Sequence, residues 1–141
     1  MNRISADLVD FDFLWSSCAF EHLGSLQNGL RFVREAMRCL KPGGVAVHTT
    51  EFNLSSNFRT IESPGLVLYR KGDILELIRT LERSGHEVSA LNLNPGSREL
   101  DCYVDRPPYS SEPHLKLMLD RFVFTSLGLI IRRGARGVAA R

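Results

Sequence analysis

Apolar and polar positions alternate most tellingly near the start of the chain. Phe11-Asp12-Phe13-Leu14-Trp15 is an apolar run, and the polar elbow Ser16-Ser17-Cys18-Ala19-Phe20-Glu21-His22 follows it. Alternation places Phe11, Phe13 and Trp15 on one face of a strand over about Phe11–Ser16, with Asp12 and Leu14 on the other. Its aromatic content predicts a mostly buried strand. Leu26, Leu30, Val33, Met37 and Leu40 then recur at steps of four and three, a helical stripe with Ser25 as its expected N-cap. Pro42 cannot continue that helix, and Gly43-Gly44 permit a left-handed turn. The β-branched run Val45–Thr50 reads as a second strand. Strand, helix and strand joined by tight turns predict a right-handed crossover in a parallel sheet. Ligands of such sheets sit beyond the carboxyl ends of the strands, here the Ser16–His22 elbow and the His48–Glu51 segment.

The pattern loosens after Glu51. Residues 51–71 read as a long loop, of the kind that is usually functional or mobile. A second helix is expected from Asp73, as cap with Glu76 completing a capping box. Its stripe is Ile74, Leu77, Ile78 and Leu81, and Gly85 ends it. His86–Leu93 is expected as a third strand. Asn94–Ser111 reads as loop with a short strand at Leu100–Val104. Leu115–Leu119 is a short apolar run, and Phe122–Ile131 is expected as the last strand, with Gly128 as a bulge. These elements predict one α/β domain over residues 1–131, followed by a basic tail, 132–141, expected to fray.

Composition narrows the classes. The chain has 141 residues, 43% hydrophobic and 24% charged, with a formal charge of +2. These are ordinary globular values, too neutral to predict nucleic acid as a partner. No apolar stretch approaches the roughly 20 residues of a membrane span. Three widely spaced cysteines predict neither a disulfide framework nor a zinc knuckle, and point to a reducing, cytoplasmic setting.

Several side chains could carry chemistry. Glu21 and His22 could exchange protons near neutral pH, or hold the elbow by hydrogen bonds. His48 could accept a proton at the second strand tip together with Glu51, or pack under a helix. Tyr69, Arg70 and Lys71 could clamp an anion, or be an ordinary loop before a helix cap. Asp101, Asp105 and His114 could be imagined around a metal with His48, but nothing fixes their spacing, and no metal is expected.

The elbow and the Leu40-Lys41-Pro42-Gly43-Gly44 turn resemble the class I S-adenosylmethionine-dependent methyltransferases, closest to the small-molecule type with a Ser-x-x-x-Glu-His elbow. The resemblance implies that Phe11–Ser16 and Val45–Thr50 are that family's fourth and fifth strands, and that the last strand is inserted antiparallel. It implies S-adenosylmethionine as cofactor, with Ser16, Ser17, Cys18, Glu21 and His22 as the cofactor-binding residues, the first three against its methionine portion and Glu21 and His22 orienting the elbow. The family holds most of its cofactor with a glycine-rich loop and an acidic residue in the first half of its fold. No Gly-x-Gly-x-x-Gly occurs here. The chain therefore resembles the C-terminal half: a partial Rossmann-like fold with a mixed sheet of about four strands, the first-half strands missing. Its expected function is that of a truncated or partial methyltransferase acting on a small-molecule acceptor. The alternative is a non-catalytic interaction half-domain. In either case the outer side of the aromatic strand is expected to be an unpaired edge, predicting a homo-oligomer or pairing with the missing half.

Overall fold

The computed structural model describes residues 3–135; most of the predicted basic tail, residues 136–141, lies outside the described residues. The order of elements is β1 (Phe11–Ser16), α1 (Leu26–Ala36), β2 (Leu40–Asn53), α2 (Lys71–Arg83), β3 (Glu87–Val88), a short α3 (Glu99–Cys102), β4 (Leu117–Leu119) and β5 (Phe122–Arg132). The sheet is mixed and five-stranded, ordered β1-β2-β5-β3, with β4 also paired to β5. One strand more than expected arises because Leu117–Leu119 folds back on β5.

β2 is the spine. It pairs in parallel with β1, Phe13 opposite Val45 and Ser16 opposite His48, and antiparallel with β5 from Val45 opposite Arg132 to Asn53 opposite Phe124. The alternation in β2 buries Ala46, His48, Thr50 and Phe52, and in β5 it buries Leu127, Leu129 and Ile131. Both long helices lie against this face, α1 through Leu26 and Val33, with Met37 of the turn after it, and α2 through Ile74, Leu77 and Leu81. α1 begins as expected: the Ser25 hydroxyl accepts from the Asn28 N–H at 3.2 Å.

The opposite face is open. Trp15, Val47 and Ile130 lie in line across three strands, and Trp15 and Ile130 are 70% and 50% exposed. The expectation of a mostly buried β1 therefore fails, because among the described residues no helix covers this face and no strand pairs with the outer edge. Phe11 and Phe13 are exposed as well, and with Leu8 and Phe32 they line an apolar groove of about 670 Å³ beside that edge. The unpaired edge itself was expected.

Other local expectations need correction. Asp73 is not the cap of α2 but its third residue, where its carboxylate accepts from the Arg70 N–H at 2.9 Å; Glu76 instead pairs with Arg79. The expected strand His86–Leu93 contracts to Glu87–Val88, since β5 offers it only Arg132 and Ile131 as partners. The strand expected within Leu100–Val104 is a helical turn, Glu99–Cys102, closed by the Asp101 carboxylate on the Arg98 N–H. Gly128 is no bulge, because it faces Thr49 in unbroken register. Gly85 does end α2, at φ +82, with the His86 N–H donating back to the Leu81 carbonyl.

Candidate functional site at the tips of β1 and β2

The parallel register ends β1 against the middle of β2, because the second strand, expected over Val45–Thr50, extends over Leu40–Asn53. β1 stops at Ser16 opposite His48, and β2 runs on through Glu51. Cys18 turns the chain sharply at φ +44, and its N–H donates to the Thr49 carbonyl at 3.2 Å and to the Thr49 hydroxyl at 3.0 Å. The elbow is thus sewn to the tip of β2 by backbone bonds.

A single 3₁₀ turn, Phe20–His22, then drives two consecutive side chains inward. Phe20 packs against Tyr69, ring centroids 4.9 Å apart, and the Tyr69 hydroxyl donates to the Phe20 carbonyl at 3.1 Å. Only a glycine fits opposite: a Cβ on Gly29 would lie 1.8 Å from the Tyr69 oxygen. Burial raises the Tyr69 pKa, so its phenol stays protonated and serves as a structural donor.

Glu21 enters the core beside it. It is fully buried, and one carboxylate oxygen, Oε2, accepts from the Thr50 hydroxyl at 2.9 Å. The other, Oε1, has no hydrogen-bond partner; the Nε2 of His22 lies 3.9 Å away. His22 is half-exposed, and its Nδ1 donates to the Gly65 carbonyl at 2.6 Å. Because a carbonyl only accepts, this bond places a proton on Nδ1. Glu51 completes the tip. Burial pushes its carboxyl up from the ordinary range, the Glu21 charge pushes the same way, and the Cys18 thiol and His22 pull it partly back.

His48 is placed differently from the proton acceptor expected of it. It has no exposed surface, lies edge-on to Phe20 and Phe32, and hydrogen-bonds Ser16 Oγ through Nδ1 at 2.7 Å. Desolvation lowers its pKa to about 4. The neutral ring therefore fixes the last side chain of β1 and presents no open face to a substrate.

The elbow residues Ser16, Ser17, Cys18, Glu21 and His22 are brought together with Glu51. The anion clamp is not assembled, because Tyr69 is buried and Arg70 is bound in a fork by Asp73, at 2.8 and 2.9 Å. Of the groups imagined around a metal, Asp105 meets His114 at 3.3 Å while also accepting from the Ser110 N–H; His48 is enclosed elsewhere. Sequence reading placed Thr49 and Thr50 at the second strand tip without a role for either, and missed Gly65. Thr50 shares the His48 face by alternation and was within reach; the Gly65 carbonyl comes from a loop whose path no periodicity reveals. A separate cavity of about 220 Å³ lies between Phe52, Leu54, Pro95, Lys116 and Leu127.

Comparisons with known proteins accord with this geometry. Residues 5–48 match the family model of the methyltransferase domain. Among solved structures, an S-adenosylmethionine-dependent methyltransferase from Clostridium acetobutylicum superposes with a TM-score of 0.50 at 11% identity, covering 94% of this chain and 62% of that one. A candidate methyltransferase from Bacillus halodurans gives a TM-score of 0.50 at 16% identity, with 94% and 68% covered. The chain thus spans under two thirds of the length of the first of these. Among curated proteins none matches the sequence.

Proposed function

From a chain that has the class I methyltransferase fold and carries the methyltransferase-domain sequence at residues 5–48, we propose one wall of a methyl-donor cleft, formed by the tips of β1 and β2. The reaction is methyl transfer from S-adenosylmethionine to a small-molecule acceptor. The observation that carries the reading is the register of Ser16 with His48, which sets the elbow beyond the end of β1 and beside the His48–Glu51 stretch of β2, on the side where ligands of parallel sheets sit.

The groups at the tips suit the amino-acid end of the donor. The Ser17 hydroxyl and the Glu51 carboxylate can both accept from an ammonium group, and the turn at Cys18 brings backbone to the cleft. Nothing at the two tips supplies the glycine-rich cradle and acidic ribose partner by which the family holds the rest. That part of the wall belongs beyond the unpaired edge of β1. The cofactor, when bound, supplies the electrophilic methyl group; the chain contributes alignment and exclusion of water. Glu51, with its raised pKa, is the group at the tip of β2 suited to take a proton from an acceptor hydroxyl or amine. His48 acts through Ser16 as a positioning residue.

A second reading draws on the open edge. The exposure of Phe13 and Trp15 favours an interaction half-domain that pairs β1 with a second copy of itself. Calorimetric titration with S-adenosylmethionine separates the two. A Kd of about 100 μM or tighter supports the methyl-donor wall. No detectable binding, with a dimer in sedimentation, supports the interaction module.

A further inference from the structure

The elbow and the neighbouring stretch of β2 carry a cluster of which the methyl-transfer reading draws on Glu51 but leaves the buried Glu21 carboxylate unused. Cys18 Sγ and carboxylate oxygens of Glu21 and Glu51 lie within 4.8 Å of one another, the one such grouping of possible metal ligands among the described residues. Glu21 is fully buried, and its Oε1, with no hydrogen-bond partner, lies on the His22 side. A bare carboxylate oxygen in a dry environment is costly, and what it lacks is a cation. His22 borders the same spot from the solvent side. With Nδ1–H held by the Gly65 carbonyl, the neutral ring keeps its lone pair on Nε2, 3.9 Å from that oxygen. A backbone carbonyl fixing one ring nitrogen while the other is available is the arrangement found behind metal-bound histidines.

We infer that Cys18, Glu21, His22 and Glu51 form a site for one divalent cation of borderline softness, best matched by zinc. The set offers one thiolate, two carboxylates and one imidazole, all ordinary zinc ligands, and hard cations such as magnesium would not choose the sulfur. Ligand atoms around tetrahedral zinc lie roughly 3.5 Å apart, so Cys18, Glu21 and Glu51, within 4.8 Å of one another, close on a cation by side-chain rotation, with His22 joining from 3.9 Å on the Glu21 side. Three anionic ligands and one neutral ring would hold the cation with a net charge of −1. Bound there, it would link the elbow to the tip of β2, because Cys18, Glu21 and His22 sit on one and Glu51 on the other. This goes beyond the methyl-donor reading and uses Glu51 as a cation ligand in place of the proton acceptor proposed there; the test below is run without the cofactor.

Titration with Co²⁺, a spectroscopic stand-in, followed by competition with Zn²⁺, tests the site. The expected result is one equivalent bound, with thiolate-to-cobalt charge-transfer absorption and a zinc Kd of about 1 μM or tighter. Cys18→Ser abolishes the charge-transfer band, whereas Cys102→Ser, in α3 and outside the grouping, leaves it. Glu51→Gln weakens zinc binding by about tenfold or more, with circular dichroism confirming that each variant is folded. Zinc should also raise the unfolding midpoint of the unaltered chain and not that of Cys18→Ser. No saturable binding by the folded chain would overturn the inference. So would binding that survives Cys18→Ser and Glu51→Gln, or that is lost with Cys102→Ser.

Discussion

The two faces of the sheet are built by the same alternation and end in opposite environments. On one, Leu14, Ala46, Leu129 and Ile131 are closed under α1 and α2. On the other, Phe13, Trp15, Val47 and Ile130 are equally apolar, yet among the described residues nothing covers them. A one-sided sheet normally pairs an apolar face with a polar one. Here the residue types suit burial on both sides. The difference teaches that apolar alternation reports which residues tolerate burial, whereas actual burial depends on which element packs there.

Four substitutions or conditions probe that contrast. The largest effect belongs to the covered side: Gly29→Ala drives a Cβ to 1.8 Å from the Tyr69 oxygen and 2.6 Å from the Phe20 carbonyl oxygen. It should cost about 3 kcal/mol, read as a drop in urea midpoint. Next comes pH. His48 stays neutral in the fold, with its pKa lowered to about 4 from 6.5, while the unfolded chain takes up a proton below 6.5. Stability from this residue is full above 6.5 and is lost as pH falls toward 4. Between pH 7 and 5 the chain should lose about 2 kcal/mol more than a His48→Gln variant does, in denaturant melts at both values. Ser25→Ala removes the α1 cap and should cost about 1 kcal/mol by the same assay. Smallest is Trp15→Lys. With Trp15 already 70% exposed, chain stability should change by less than about 0.5 kcal/mol in the same denaturant melts. A large loss of stability there would break the contrast between the faces.

Much of the core was legible because periodicity reports it directly. The α1 stripe, the Ser25 cap, both strands of the parallel pair and the Phe122 strand follow from spacing and turn chemistry alone. Most of what failed depended on partners distant in sequence. β3 is short because β5, far along the chain, offers it two partners, whereas the β4–β5 hairpin is local, Leu119 facing Phe122 across a two-residue turn that the apolar pattern did not signal. At the site, the elbow residues were legible as a group, but their roles were not. Alternation put His48 on a face and left its surroundings open; only the approach of Phe20 and Phe32 turns it from an accessible base into a buried brace. Likewise the stranded Oε1 of Glu21 cannot be read from its neighbours, since its environment is made by Thr50, His22 and the Gly65 loop together.

The central claim, that the tips of β1 and β2 form a wall of a methyl-donor cleft, is tested most directly by mapping amide chemical shifts during titration with S-adenosylmethionine. The account predicts changes concentrated at Ser16–His22 and His48–Glu51. Saturating concentrations that move none of these amides, or that move instead those around Pro95 and Lys116, would contradict it.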